Sequence, residues 1–305
     1  MSEAPVLVLG GTGKTGRRVA RQLTEKGRAV KVASRSGGQR FDWHDRSTWA
    51  DAVAGVEAVY VVDEQGADAA ALLADFVALA VGAGVTRLVM LSARTLEESP
   101  QEDEVFTAER VVRESGVAWT ILRPTWFAQN FSEDGLFRDE VARGELLLPD
   151  WKGLEPFVDA EDIAAVAVAA LTEEGHDGET YALSGPRLMT FEECAEEISK
   201  AAGREIRRVA VTREEYALHL VERGYPRGFA DFLNTLLDVV RDGGAAHLSD
   251  GVQRALGREP RDFSQYAAET EWTPAADRRF HRSGRIFDGP GRGVQQAEFS
   301  RSSGR

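Results

Sequence analysis

The feature that most restricts the fold is a short apolar run, Val6-Leu7-Val8-Leu9, that breaks straight into Gly10-Gly11-Thr12-Gly13-Lys14-Thr15-Gly16. A run with no polar alternation reads as a strand covered on both faces, as in a parallel sheet. The glycines at 10, 13 and 16 fit G-x-x-G-x-x-G, and residues 15–26 then carry Val19, Ala20 and Leu23 at helical spacing before Gly27. Strand, glycine turn and helix in that order form a dinucleotide cradle. The glycines permit the tight turn and let the backbone approach a pyrophosphate at the positive end of the helix. Gly10, Thr12, Gly13, Lys14, Thr15 and Gly16 are therefore candidate cofactor-binding residues. Gly13-Lys14-Thr15 also imitates the end of a nucleotide-triphosphate loop, but that motif needs a glycine where Val8 stands.

The same alternation continues. Ala29 to Ala33, Ala58 to Val62, Arg87 to Ser92 and Ala118 to Leu122 read as strands, with helices predicted over 68–81 and 103–115. Strands alternating with helices imply βαβ units. The expected class is α/β, a Rossmann-type doubly wound parallel sheet with a smaller, mainly helical second lobe. In the second part, 135–149 reads as helix and turn, Val158 to Leu171 as an alanine-rich helix opened by Asp159 or Asp162, and Glu179 to Leu183 as a strand. Helices are predicted over 190–202 and 213–223. The expected division is 1–130 for the cofactor domain, 131–272 for the second lobe, with some elements returning to the first, and 273–305 for a disordered tail. That tail is rich in Arg, Gly and Ser and poor in aliphatic residues.

The net charge of −13 argues against nucleic acid or an anionic membrane as a partner. No apolar run approaches the roughly 20 residues of a membrane span, and no basic-then-apolar leader opens the sequence. The single cysteine, Cys194, excludes an intrachain disulfide and suits a reducing cytoplasm. It follows Glu192-Glu193, whose charges would raise its pKa and discourage a reactive thiol. The five histidines are scattered without ligand spacing, so no metal site is expected.

The second strand runs out into Ala33-Ser34-Arg35-Ser36, with no acid to hold a ribose 2′-hydroxyl. A guanidinium and hydroxyls suit a 2′-phosphate, so Ser34 and Arg35 point to NADP(H), with NADPH preferred over NADH. Phe41-Asp42-Trp43 follows at a distance that places Asp42 and Trp43 as candidates beside the adenine, and Trp43 reads equally well as a core aromatic. Short-chain reductases commonly use Tyr-x-x-x-Lys to protonate a carbonyl oxygen. Here the helix that would carry the pair has Phe106 and Arg110 at that spacing, and no tyrosine lies between Tyr60 and Tyr181.

The loop Gly10 to Gly16, Phe41-Asp42-Trp43, the helix end Glu109 to Gly116, and Trp119-Thr120-Ile121-Leu122-Arg123-Pro124 resemble the NmrA-like branch of atypical short-chain dehydrogenases. So do Arg123 to Glu133, Asp162-Ile163-Ala164, Ser184-Gly185-Pro186 and Gly257-Arg258-Glu259-Pro260. The chain is most similar there to the subgroup of fungal ergot-alkaloid (agroclavine and festuclavine) dehydrogenases. The resemblance implies an NADPH-dependent reductase without the Tyr/Lys pair, acting on iminium carbons. An iminium is already cationic, so hydride adds without prior protonation, and positioning carries the reaction. By position, Ser92 and Pro124 should lie near the nicotinamide end of the cofactor. Thr125, Trp126, Phe127 and Asn130 are candidates for the substrate pocket, with core packing as the other reading of Phe127 and turn capping that of Asn130. Two functions compete: a reductase of an imine or iminium, quinone or enone, and a non-catalytic NADP(H)-sensing regulator. A cavity lined by Trp126, Phe127, Phe137, Trp151 and Phe157 would favour the first, and a filled site the second.

Overall fold

The computed structural model describes residues 4–64, 68–94, 104–133, 136–150 and 152–273. The tail expected from 273 onward lies outside these residues apart from Thr273, as does Trp151. Strand β1 (Val6–Val8) is wholly buried, as its unbroken apolar run requires. On one side it pairs with β2 (Val30–Ser34), which pairs with β3 (Gln39–Arg40); on the other lie β4 (Ala58–Val62), β5 (Arg87–Leu91), β6 (Ala118–Pro124) and β8 (Glu179–Leu183). All seven strands are parallel. This is a Rossmann-type doubly wound sheet.

Side chains alternate between two cores. Val6, Val8, Tyr60 and Val89 face helices α1 (Lys14–Glu25) and α6 (Ala160–Thr172). Leu7, Val59, Val61 and Met90 face α2 (Trp49–Val53), α3 (Ala69–Gly82) and α4 (Glu104–Arg113). Nearly every residue of α6 is buried, because alanines let it lie close between α1, the sheet and α10 (Gly251–Leu256). Asp159 caps α6 by accepting the Glu161 amide at 2.9 Å.

The second lobe comprises α5 (Arg138–Arg143), β7 (Glu145–Pro149), α7 (Phe191–Ala202), β9 (Arg207–Val211), α8 (Arg213–Glu222), α9 (Arg227–Arg241) and α11 (Phe263–Glu269). The stretch expected as helix and turn ends in β7, which pairs in parallel with β9. Capping boxes on Thr190, Thr212 and Asp262 start α7, α8 and α11. The lobe is built around Phe131, Phe137, Phe157, Phe191 and Phe263. Elements α6, β8 and α10 return to the first layer, so the division at residue 130 is crossed repeatedly.

Gly251 shows how closely α10 docks. A Cβ there would overlap the Ala182 carbonyl oxygen and lie 2.9 Å from the Ala182 carbonyl carbon. Gly251→Ala must push α10 off β8. We expect a loss of about 2–3 kcal/mol in urea unfolding, with dinucleotide affinity unchanged because the loop at residues 10–16 is remote in the sheet. An unchanged midpoint would show that the packing yields.

Candidate functional site

Strand order reverses direction between β1 and β4, and the crevice beyond their carboxyl ends is where such sheets take ligands. The glycine loop fills it. Gly10 has φ +59°, the left-handed region that favours glycine, and its carbonyl accepts the Gly13 amide at 2.8 Å. A Cβ on Gly11 would sit 2.5 Å from Val32 Cγ1, and one on Gly16 would lie 2.8 Å from the Gly10 carbonyl carbon. The helix therefore packs on the loop through bare backbone. Gly13 is the N-cap of α1, extended and without a side-chain cap. The first amides of the helix are left for a ligand.

The first turns of α1 carry no acid but hold Lys14, Arg17 and Arg18. A cleft of about 480 Å³ opens there, lined by Thr12, Gly13, Lys14, Arg17, Glu133 and Arg138. Burial holds the Lys14 ammonium below its usual range, with Glu133 opposing that effect and the neighbouring arginines adding to it. Thr15 is buried beneath the loop against the Tyr60 hydroxyl, whose ionisation burial pushes up.

At the end of β2, Ser34 is buried and its Oγ has no hydrogen-bond partner, while Arg35 beside it is exposed. Asp42 accepts the His44 amide at 3.0 Å within a turn. Trp43 packs edge-on against Phe41, Trp49 and Phe76, and its Nε1 donates to the Val62 carbonyl at 3.2 Å. The indole thus belongs to an aromatic box that fixes β4 against the β2–α2 connection. Asp63 follows β4, its carboxyl pushed up to about 6 by burial and by Glu64.

At the other end of the crevice, the Ser92 hydroxyl donates to Glu109 at 2.6 Å, and Arg123 grips the same carboxylate at 2.8 and 2.6 Å. Burial works against ionisation of Glu109, but the hydrogen bonds from Arg123 and Ser92 prevail and hold its carboxyl low. Pro124 ends β6 and is buried. The chain beyond it is woven into two other segments. Thr125 is buried and donates its hydroxyl to the Pro156 carbonyl at 2.7 Å, and the Val158 amide donates to the Trp126 carbonyl at 3.0 Å. Met189 and Glu155 exchange backbone bonds at 2.9 and 3.0 Å. Trp126 is half-buried, stacked on Phe137 and edge-on to Phe191. Phe127 is half-buried on the sheet side, and Asn130 lies in a 3-10 turn, Ala128–Phe131.

The chain matches the NmrA-like family over residues 2–267. The chain belongs to that family. It is 34% identical over 277 residues to an uncharacterized oxidoreductase of Bacillus subtilis (strain 168), covering 88% of this chain and 96% of the relative. It is 33% identical over 281 residues to agroclavine dehydrogenase of Claviceps fusiformis, covering 87% and 97%. The structure of a Citrobacter triphenylmethane reductase complexed with NADP(H) superposes with a TM-score of 0.68 at 23% identity, over 87% of this chain and 99% of that one, which shows the shared fold. The protein is an oxidoreductase of the NmrA-like family.

In this NmrA-like chain Thr12, Gly13 and Lys14 line one cleft, and the Gly11 amide donates to the Ala33 carbonyl of β2 at 3.0 Å. Thr125 turns inward, where its hydroxyl holds the Pro156 segment. Phe137 and Phe157 are buried in the second-lobe core, which at those two positions is the outcome expected of the regulator; Trp126 and Phe127 stay half-buried at the rim, and the case for a reductase rests on the relatives instead. The side chain of Phe106 lies outside the described residues; Arg110 is exposed on α4. Cys194 is fully buried, and burial, ahead of its acidic neighbours, pushes its thiol up. Among the described residues no helix is long and apolar enough to cross a membrane, and no three His, Cys, Asp or Glu cluster as metal ligands.

Sequence reasoning missed Arg94 and Glu155, since neither sits in a motif. Arg94 is 4% exposed and donates to the carbonyls of Ala245 at 2.7 Å and His247 at 2.9 Å. Glu155 is 1% exposed, accepts the Trp126 amide at 3.2 Å on Oε1, and leaves Oε2 without a partner. Burial pushes its carboxyl up to about 7, against the Trp126 amide and Arg94. A carboxyl raised in the folded state contributes stability that is fully present below about 4.5 and is lost as pH rises through about 7. Glu155→Gln should therefore gain stability relative to the natural protein between about pH 5 and pH 8, by at most about 3 kcal/mol. Thermal melts across that range check this; parallel pH courses for the two proteins would sink it.

Proposed function

We propose that this oxidoreductase uses NADPH in preference to NADH to reduce an electrophilic small molecule, an imine or iminium, a quinone or an enone, without a Tyr/Lys pair. The observation that carries the reading is the cradle. It combines an uncapped helix start, glycines where a Cβ would collide and, at the end of the neighbouring strand β2, an unpartnered Ser34 hydroxyl beside Arg35. These residues fit a dinucleotide with a 2′-phosphate: the amides of Gly13 to Thr15 and Lys14 would hold the pyrophosphate, and Ser34 and Arg35 the 2′-phosphate.

When bound, the reduced nicotinamide supplies a hydride. Pro124 and the Trp126–Phe127 segment, pinned by the 155–158 strand-like stretch, would fix the plane against which an acceptor lies. Ser92 is already donating to Glu109, a carboxylate held ionised, so its hydroxyl has no second proton to give. That arrangement suits acceptors that take hydride without prior protonation. The names of the relatives, an agroclavine dehydrogenase and a triphenylmethane reductase complexed with NADP(H), support a reductase of extended organic acceptors.

The test is NADPH oxidation followed by absorbance against cyclic imines, quinones and enones, with NADH and Arg35→Ala alongside. Turnover should favour NADPH, and Arg35→Ala should weaken NADPH about ten- to hundredfold while changing NADH little. Tight binding with no turnover on any acceptor would point to a cofactor-sensing regulator, and equal use of both cofactors would remove the role given to Arg35.

A further inference from the structure

Of the described residues lining the cleft at α1, Glu133 alone is acidic. It sits just past the 3-10 turn that leaves β6, where the chain enters the second lobe. Its carboxylate ion-pairs with Arg17 and with Arg18, the latter at 2.6 Å. Arg18 is additionally fixed by Glu161 at 3.0 Å and by the Lys14 carbonyl at 2.8 Å. Arg17 is more exposed, with 45% of its side chain accessible, and Glu133 is the ion-pair partner seen for it. Arg17 follows Lys14 by three residues, so both project from the same side of the first turn.

We propose that Glu133 is an internal counter-anion that competes with the cofactor pyrophosphate for Arg17, and that Arg17 passes from Glu133 to the phosphates when the dinucleotide binds. The inference rests on the dinucleotide reading of the cleft. A pyrophosphate at the Gly13–Lys14 amides brings two negative charges into a space where one carboxylate already neutralises part of the cationic set. Like charges in a partly exposed cleft repel, and salt screens the effect. Arg18 keeps Glu161 and the Lys14 carbonyl through the exchange, so the base of the helix stays anchored while Arg17 moves. The pyrophosphate is common to both dinucleotides, so this control acts equally on NADPH and NADH, unlike that of Arg35.

The experiment titrates the full chain with NADPH and with NADH by cofactor fluorescence at low and moderate salt, and melts each protein without cofactor. Glu133→Gln should tighten both cofactors about three- to tenfold at low salt, with the gain shrinking as salt rises, while lowering the melting temperature of the cofactor-free protein. Arg17→Gln should weaken both by a similar factor. In the double variant the gain from Glu133→Gln should largely vanish. A residue that merely braced the lobes would lower the melting temperature without tightening the cofactor. Unchanged or weaker binding in Glu133→Gln overturns the inference. If that variant fails to fold, Arg17→Gln with undiminished affinity overturns it alone. Failure of the natural protein to bind either dinucleotide overturns the underlying reading, and the inference with it.

Discussion

The approach of α1 to the glycine loop is the constraint on which the rest of the molecule is built. A methyl group on Gly16 would overlap the Gly10 carbonyl oxygen and crowd Gly11 Cα at 2.9 Å, so the helix starts where its backbone touches the turn. That contact aims the first amides of α1 into the crevice between β1 and β4. It also sets the plane in which α6 lies against α1, through alanines that add little thickness. The ion pairs of Arg18 and Arg21 with Glu161, at 3.0 and 2.5 Å, tie the two helices together above that plane. Arg21 is largely exposed, which limits its pair to about a kcal/mol or less, and apolar packing against the sheet holds the two helices.

The opposite rim is held differently. No single turn shapes it. Three loops are laced by backbone hydrogen bonds: 125–128 against 155–158, and 155 against 189. Buried polar groups inside the lacing act as its fasteners. Arg94 takes two carbonyls of the 245–247 loop, and Glu155 takes the Trp126 amide. Fasteners of this kind are sensitive to loss of a partner, because a stranded buried charge or carbonyl is costly. The rim is thus built from residues far apart in the chain, brought together by the second lobe packed on its phenylalanine core.

This contrast explains what was legible in the sequence. The cradle is local: strand, glycines and helix lie within residues 6–25, and the glycine spacing encodes the collision-free contact directly. Strand alternation through β6 is legible for the same reason, since each βαβ unit repeats one apolar pattern. Trp43 was readable two ways, and its four-ring box required Phe76 from another helix to decide its packing. The parallel pair β7–β9 joins segments about sixty residues apart, and β7 on its own looks like a turn after α5. Helix α9, with Ala230, Leu233, Leu237 and Val240 buried, has helical spacing that the sequence reading passed over. Arg94 and Glu155 carry no local signal, because burial and partner choice are properties of the closed structure.

The buried network at Ser92 bears on the chemistry more than the missing tyrosine does. In a Tyr/Lys enzyme a cation lowers the pKa of a neutral acid so that it can give up a proton. Here two arginines surround an already ionised acid: Arg123 and Arg113 reach Glu109 at 2.6 and 3.3 Å, and Glu109 in turn takes the hydrogen of Ser92. Glu109 accepts hydrogen bonds here and stays ionised, so the network orients the end of β5 without supplying an acid. On the function proposed above, such a site would gain rate from placement of the acceptor and would suit one whose electrophilic carbon needs no proton before hydride arrives. The carboxyl of Glu155, pushed up to about 7 by burial and lodged behind Trp126, carries less charge near neutral pH than an ordinary carboxylate. Specificity for a flat or cationic acceptor would then come from the half-buried face of Trp126, which stacks on Phe137 and cannot turn away without opening the second-lobe core.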